Sequence, residues 1–426
     1  MRQLRTPLPD QRGAAALLVV VVLFFILAMV TAYAGRNLIF EQRTSVNNQR
    51  AAQAFEAAES GLDFAIGLLG SGRVDAECVS TNDVTQNTFR QRHLTQDPNG
   101  NFVIGGALAN LRPTCMLLQG GARCGCPAVG LPDLIVPVGL APAFQVRFES
   151  PGFAQPGIVR AISKGCSSIG SQCLAGAPNA DAVAEVSVLL GLNSALSTPP
   201  AAPLTVRSTL NVNNGALNVI NTDVPTRGIT IDAGGAIIND GNIRLFSTPG
   251  TPGSASVLAS DPSLSALTED RMFVSVFGMD RDTYRSQPAA VRVDCAGDCA
   301  LAIATAVSRN PGRVIWLQGP VTIDSNLVLG SAAEPVMLFV QGDLTVSANL
   351  QLFGVLYQHN GLGAALTWST TAGSTVIQGA AIAEGSLSVL GAPTIIFDPG
   401  VLRTINLTQG SMVRIPGSWR DFAAGS

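Results

Sequence analysis

The sequence predicts an α+β protein. It has one long N-terminal helix, an antiparallel β-sheet head packed on that helix's second half, and a mainly β C-terminal domain wound as a parallel β-solenoid. Three observations predict this. An uncharged apolar run over residues 14–34 passes without a break into a helical pattern lasting to Leu69. Segments 144–150, 157–166 and 180–192 alternate apolar and polar residues as strands do. Beyond residue 205, a glycine-led unit of alternating apolar residues recurs.

Charged residues make up 13 % of the 426, against roughly 25 % in an ordinary soluble protein. With abundant glycine and few aromatic residues, this suits a turn-rich exported β protein better than a helical cytosolic enzyme. A net charge of −3 supplies no basic field, so nucleic acid is not an expected partner. The length fits about two or three domains.

As a helix, residues 14–34 span about 31 Å, the thickness of a bilayer's hydrocarbon core. Arg2, Arg5 and Arg12 precede the run, which puts the N-terminus in the cytoplasm by the positive-inside rule. A secretory signal competes for this stretch, with TAYAG at 31–35 as its cleavage site. The continuation decides against it. Phe55, Ala58, Leu62, Ile66 and Leu69 fall on one stripe, the surface expected to pack on the head. Glu56, Glu59 and Asp63 fall largely off it. GSG at 70–72 ends the pattern. A helix over 14–69 is roughly 84 Å long, and a cleaved signal has no reason to continue in this way.

QRG at 11–13, then AAALLVVVVLFFILAMV, then AFEAAESGL at 54–62, resembles the N-terminal region of PilX-type minor pilins of type IV pili. The resemblance covers roughly residues 11–69. It implies that prepilin peptidase cuts after Gly13 and that Ala14 becomes an N-methylated N-terminus. It also implies that residues 19–30 pack laterally in a filament core, with Leu18, Val19, Leu23, Phe24, Phe25 and Leu27 in the contact. Most pilins carry a glutamate where Leu18 stands. Such a glutamate neutralises a neighbour's N-terminal amine where an unpaired charge is costly. Leucine cannot supply that contact and suits a tip position, unless it merely adds apolar area.

Residues 71–193 read as a pilin-like head, with an irregular cysteine-bearing stretch over 76–130. SALSTPPAAPLT at 194–205 is a linker. Residues 206–426 form the C-terminal domain. Gly319 and Gly342 lie 23 apart, each followed two and four residues later by apolar pairs: Val321 and Ile323, Leu344 and Val346. Leu387 and Val389 repeat the pattern after Gly385, and Leu329, Leu352 and Ile395 recur ten residues after each glycine. A period near 22 fits a parallel solenoid; an antiparallel sandwich is the alternative. Residues 254–312 interrupt the repeat as an insertion, with a helix starting at Asp261–Pro262. Trp419 is expected as a buried aromatic covering an open solenoid end.

Eight cysteines in an exported chain read as disulfides rather than zinc ligands, since no CxxC pair occurs. Cys166–Cys173 and Cys295–Cys299 are the local pairs. Cys78, Cys115, Cys124 and Cys126 allow three connectivities. No catalytic, metal or cofactor site is expected. His93 and His359 read as surface or corner residues. Asp223, Asp232 and Asp240 are too loosely spaced for a carboxylate cluster, and Asp280 with Asp282 reads as an exposed loop rather than a calcium site.

The PilX-like reading implies a non-enzymatic minor pilin that primes assembly and presents an adhesive surface at or near a pilus tip. Its partners would be the major pilin, other minor pilins, prepilin peptidase, the inner-membrane assembly platform and a tip adhesin. The protein would sit in the inner membrane, N-terminus cytoplasmic and C-terminus periplasmic, before passing into an extracellular pilus. A K-like pseudopilin of type II secretion and a membrane-anchored solenoid enzyme acting on polysaccharide are the alternatives.

Overall fold

The computed structural model describes residues 12–97, 99–104, 111–126, 141–151, 155–168, 182–361 and 363–421. The expected leader up to residue 11 lies outside them. α1 (Arg12–Leu69) is one unbroken helix. It stops where the Gly70 and Ser71 N–H groups turn back to Ile66 O and Leu68 O. α2 (Phe89–His93) begins at a reciprocal cap, Thr88 Oγ1 accepting from the Gln91 N–H while the Gln91 side chain accepts from the Thr88 N–H.

The head follows. β1 (Thr95–Gln96) and β2 (Phe102–Val103) form a small hairpin. β3 (Thr114–Leu118) and β4 (Gly121–Gly125) come from the stretch 76–130 expected to be irregular. Their hairpin pairs onto the free edge of β5 (Ala143–Glu149) and so extends the sheet that β5 forms with β6 (Ile158–Cys166) and β7 (Val183–Ser194), the three antiparallel strands expected there. Alternate residues of β5 to β7 (Phe144, Val146, Phe148, Val159, Ala161, Val186, Val188 and Leu190) pack with Ala58, Leu62 and Ala65 of α1 in one core.

Over residues 204–397 the strands pair in parallel, which excludes the sandwich. The first two windings are β8 (Leu204–Val206), β9 (Leu210–Asn211) and β10 (Leu217–Ile220), then β11 (Ile231–Ala233), β12 (Ile237–Ile238) and β13 (Ile243–Phe246). β14 (Val257–Leu258) pairs onto β11. Three short helices, α3 (Pro262–Ser265), α4 (Glu269–Phe277) and α5 (Arg281–Ser286), lead to β15 (Ala290–Val293) and α6 (Ala300–Arg309). The remaining windings use β16 (Val314–Leu317), β17 (Val321–Ile323), β18 (Leu327–Leu329), β19 (Val336–Gln341), β20 (Leu344–Val346), β21 (Leu350–His359), β22 (Leu366–Thr370), β23 (Thr375–Ala383), β24 (Leu387–Leu390) and β25 (Thr394–Phe397). Val321 pairs with Leu344 and Ile323 with Val346; Leu329, Leu352, Ile377 and Ile395 follow one another across the windings. β22 and β23 are the degenerate unit between Gly342 and Gly385.

The order of windings in space differs from their order in sequence. β24 pairs with β9, and β23 with β8, so the last winding stacks on the first. The chain enters the stack in its middle and builds outward to β13 and β14. It then crosses to the far end along α3 to α5 and winds back from β15. Residues 254–312 therefore form a strap as well as end pieces of the stack. The single helix expected from Asp261 is three, because Thr268 and Asp280 each start a new one by accepting from N–H groups of Arg271 and Thr283, and Gly278 closes α4 at φ 76°.

The strap has a sheet face to cover. Trp316, Phe339, Tyr357 and Ile382 stand in register on the outer side of β16, β19, β21 and β23. Met272, Phe273, Phe277 and Tyr284 bury that ladder. The inner residues of the same strands, Ile315, Leu317, Leu338, Val340 and Leu356, fill the stack's own core. Strands buried on both faces read as continuous apolar runs such as VMLFV.

α7 (Pro399–Thr408) then returns the chain to the head, where β26 (Gly410–Arg414) pairs antiparallel with β7, Ser194 opposite Gly410. The head sheet, expected to close within 71–193, thus takes an edge strand from the C-terminal end, and residues 195–409 are inserted between two neighbouring strands.

Candidate functional site

α1 has two halves with opposite surroundings. Over residues 17–30 every large apolar side chain is exposed, and no polar face interrupts them. Leu18 is 65 % and Phe24 74 % exposed; Val19, Leu23, Phe25 and Leu27 are exposed alongside them. The helix is long and apolar enough to cross a membrane, with a mean hydropathy of 2.9 in its best window. Gly13 and Ala14 lie in its first turn. Thr31 folds its hydroxyl onto Leu27 O (2.9 Å), which spares the apolar surface a free polar group. Charge returns at Arg36, whose guanidinium sits 5.6 Å from the Phe40 ring.

The second half is held by the head. Of the predicted stripe, Ala58, Leu62 and Leu69 are buried and Ile66 is partly buried. Phe55 is 38 % exposed and lies off the head core. The buried stripe instead runs through Ala54, Ala57, Ala58, Gly61, Leu62, Ala65 and Leu68. Small residues let helix and sheet touch. A Cβ on Gly165 would stand 2.0 Å from Ala54 O, and one on Gly61 2.0 Å from Ser163 Oγ. Sequence periodicity weighted large apolar residues and so, Ala58 apart, missed these alanines and glycines.

Trp419 requires a correction. It covers no solenoid end. It is 41 % exposed on α1, where its indole Nε1 donates to Glu59 Oε1 (2.5 Å) and its ring meets Phe55 edge-on at 6.2 Å. β26 brings it there, together with Arg414, which pairs with Asp63 (2.7 Å) and Glu59 (3.8 Å). The far end of the stack is covered by α6, whose Ala300 and Ile303 enter its core.

His359 is also corrected. It is 2 % exposed, not a surface residue, because β21 is buried on both faces. Its Nδ1 lies 3.3 Å from Arg281 Nη1 and its ring against Trp316. Burial first, then the charges of Arg281 and Arg285, pull its pKa to about 3. Arg281 also pairs with the buried Glu384, which accepts a 2.9 Å bond from the Tyr357 hydroxyl. Burial raises the Glu384 carboxyl above its usual range. This polar knot pins α5 to the stack.

The other candidates are dispersed. His93 is partly buried against Phe89, its pKa lowered by burial and Arg92. Asp223 accepts from the Thr226 N–H within its own turn, and Asp240 from Asn242. Asp232 is raised to about 6 by burial and the Asp261 carboxylate. Asp280 caps α5, and Asp282 is an exposed partner of Arg285 (3.5 Å). No group of three or more His, Cys, Asp or Glu able to hold a metal occurs among the described residues.

Cys295–Cys299 is disulfide-bonded as expected. The open connectivity resolves as Cys78–Cys126 and Cys115–Cys124. Cys124 faces Cys115 across the β3–β4 hairpin, leaving Cys126 to reach back to Cys78. Cys166 is disulfide-bonded; Cys173 lies outside the described residues.

A single helix with an apolar, exposed first half and a head-clamped second half defines a class: a β-rich protein presented on a helix able to span a bilayer. The PilX N-terminal family model matches residues 12–63, the stretch that holds the apolar run and the start of the head-packed half. Among solved structures, the competence-associated pilin ComZ from Thermus thermophilus matches at 11 % identity. The match covers 87 % of this chain and 97 % of that one with a TM-score of 0.22, a likeness too low to carry residue or functional correspondence. No curated protein matches the chain.

Proposed function

We propose that this protein is a minor pilin of a type IV pilus. One observation carries the reading: the PilX-like segment is a continuous rod whose apolar half is unpartnered on every side while its other half is clamped in a folded head. Prepilin peptidase cuts after Gly13, and Ala14 becomes the methylated N-terminus. Residues 19–30 then leave the bilayer for an equally apolar filament core, packed among helices of the major pilin and other minor pilins. The same kind of surface is buried in both places, so the transfer carries no large desolvation cost.

Leu18 in place of a charge-neutralising glutamate favours a place at or near the tip, where no subunit above needs that contact. There the protein primes assembly on the inner-membrane platform. The parallel stack, which we read as a β-solenoid, projects from the head as an adhesive surface or a seat for an adhesin.

Substituting Gly13 by valine tests the reading. The variant should keep its leader, seen as an unchanged intact mass, and should stay in the inner membrane without entering sheared filaments. Wild-type protein from filaments should begin at Ala14. A filament-derived chain beginning at Met1 or beyond Gly35 overturns it.

A further inference from the structure

At the C-terminal end of α1 the helix, the head and the parallel stack meet, and arginines crowd the junction. Arg73 donates to Ser308 O (2.7 Å), Arg90 to Gly410 O (3.2 Å) and Arg313 to Gly70 O. All three bond backbone carbonyls. Arg90 and Arg313 line one cavity of about 90 Å³, together with Gly70, Ser71, Thr88 and Ser411. Neither forms an ion pair among the described residues.

The electrostatics of this cavity do not close among the described residues. Two guanidiniums bring two full positive charges. The carbonyls at the end of α1 offer the equivalent of about half a negative charge. Burial, then the charge of Arg313, lowers the Arg90 pKa to about 10, and burial lowers that of Arg313. A second, open groove of about 420 Å³ shares the Arg90 wall. The position of a Cβ on Gly312, which lines that groove, is 3.8 Å from Arg90 Nη2. Its one carboxylate among the described residues, Glu334, is bonded by Gln91 Nε2 (2.8 Å) and makes no ion pair with Arg90.

We propose that the cavity between Arg90 and Arg313 binds one small oxyanion, a phosphate, sulfate or carboxylate, that ties the end of α1 to the stack. Guanidinium forks match the paired oxygens of such anions. A cavity of about 90 Å³ has room for an anion of that size. A lipid headgroup is out of reach, because residues 34–70 put about 54 Å of helix between the apolar run and the site. The anion therefore comes from solution. It would stiffen the joint through which a load on the stack reaches the helix.

The test uses the full chain in detergent micelles. Equilibrium dialysis with radiolabelled inorganic phosphate, and separately with acetate, counts bound anion, while thermal unfolding is followed at matched ionic strength in chloride. One phosphate or acetate per chain is expected, with a saturable rise in Tm of about 4 °C at a hundredfold excess over Kd. Arg90→Gln and Arg313→Gln should each remove the shift, and Arg313→Lys should weaken binding at least tenfold, because lysine keeps the charge but loses the fork. Folded wild-type protein that binds neither anion, or an equal shift in both glutamine variants, overturns the proposal. The dialysis result decides even if a variant fails to fold.

Discussion

At the scale of single residues, two contacts that sequence periodicity did not rank turn out to matter most. Gly165 and Gly61 set the distance between α1 and the sheet, because a methyl group at either would enter van der Waals space already filled. Gly165→Ala is expected to lower stability by about 2–4 kcal/mol, since its obstacle is helix backbone that cannot rotate away. Gly120→Ala, with open space around it, is the matched control. Urea unfolding midpoints of the two variants check this.

His359 gives a pH signature. Its folded pKa of about 3 lies below its ordinary 6.5, so the unfolded chain takes the proton first as pH falls. Its contribution is fully present above pH 6.5 and fades toward pH 3. Between pH 7 and 4.5 the wild type should lose about 2–3 kcal/mol more than His359→Gln. Glu384, raised in the fold, works in the opposite sense: its cost appears as pH climbs through its pKa, and it is common to both proteins. Equal pH slopes for the two proteins would refute the assignment. His359 was misread from sequence because YQHNG looks like a corner; only the stacking of β19 and β23 on either side of β21 buries it.

At the scale of elements, the disulfides separate by the chain they close. Cys78–Cys126 spans 48 residues and Cys295–Cys299 spans 4. Loop-closure entropy then assigns about 4 kcal/mol to the first and about 2 kcal/mol to the second. Double serine variants, compared by thermal unfolding, should show the larger loss for the head pair. The reverse ranking would mean that strain or residual structure outweighs chain entropy. The local pair was readable from spacing alone. The head pairing was not, because it depends on the β3–β4 register, which sets Cys124 against Cys115. The strap shows a similar limit. Its start at Asp261 is written in a Pro-N1 cap, but its breaks rest on Thr268, Gly278 and Asp280, whose meaning appears only once α4 must lie along the aromatic ladder.

At the scale of the whole molecule, the stack is an insertion between adjacent strands of the head. Ser194 and Gly410 already face each other, so replacing residues 196–408 by Asn-Gly should leave a β7–β26 hairpin and a folded head. Retained cooperative unfolding and the head's disulfides, measured on the shortened chain, would bear this out; a head that unfolds would show that the junction with the stack is required.

The sequence by itself determined the long helix, three central strands of the head, and a repeat whose glycines and alternating apolar residues favour parallel stacking over a sandwich. These are properties of neighbouring residues, carried by periods of 3.6, 2 and about 22. Tertiary structure alone decided that the last winding pairs with the first, that the C-terminus returns to seal the head, and that Trp419 rests on α1. Each of those joins segments far apart in the chain. Which distant edges meet is settled by the mutual fit of buried faces, and no local pattern encodes it.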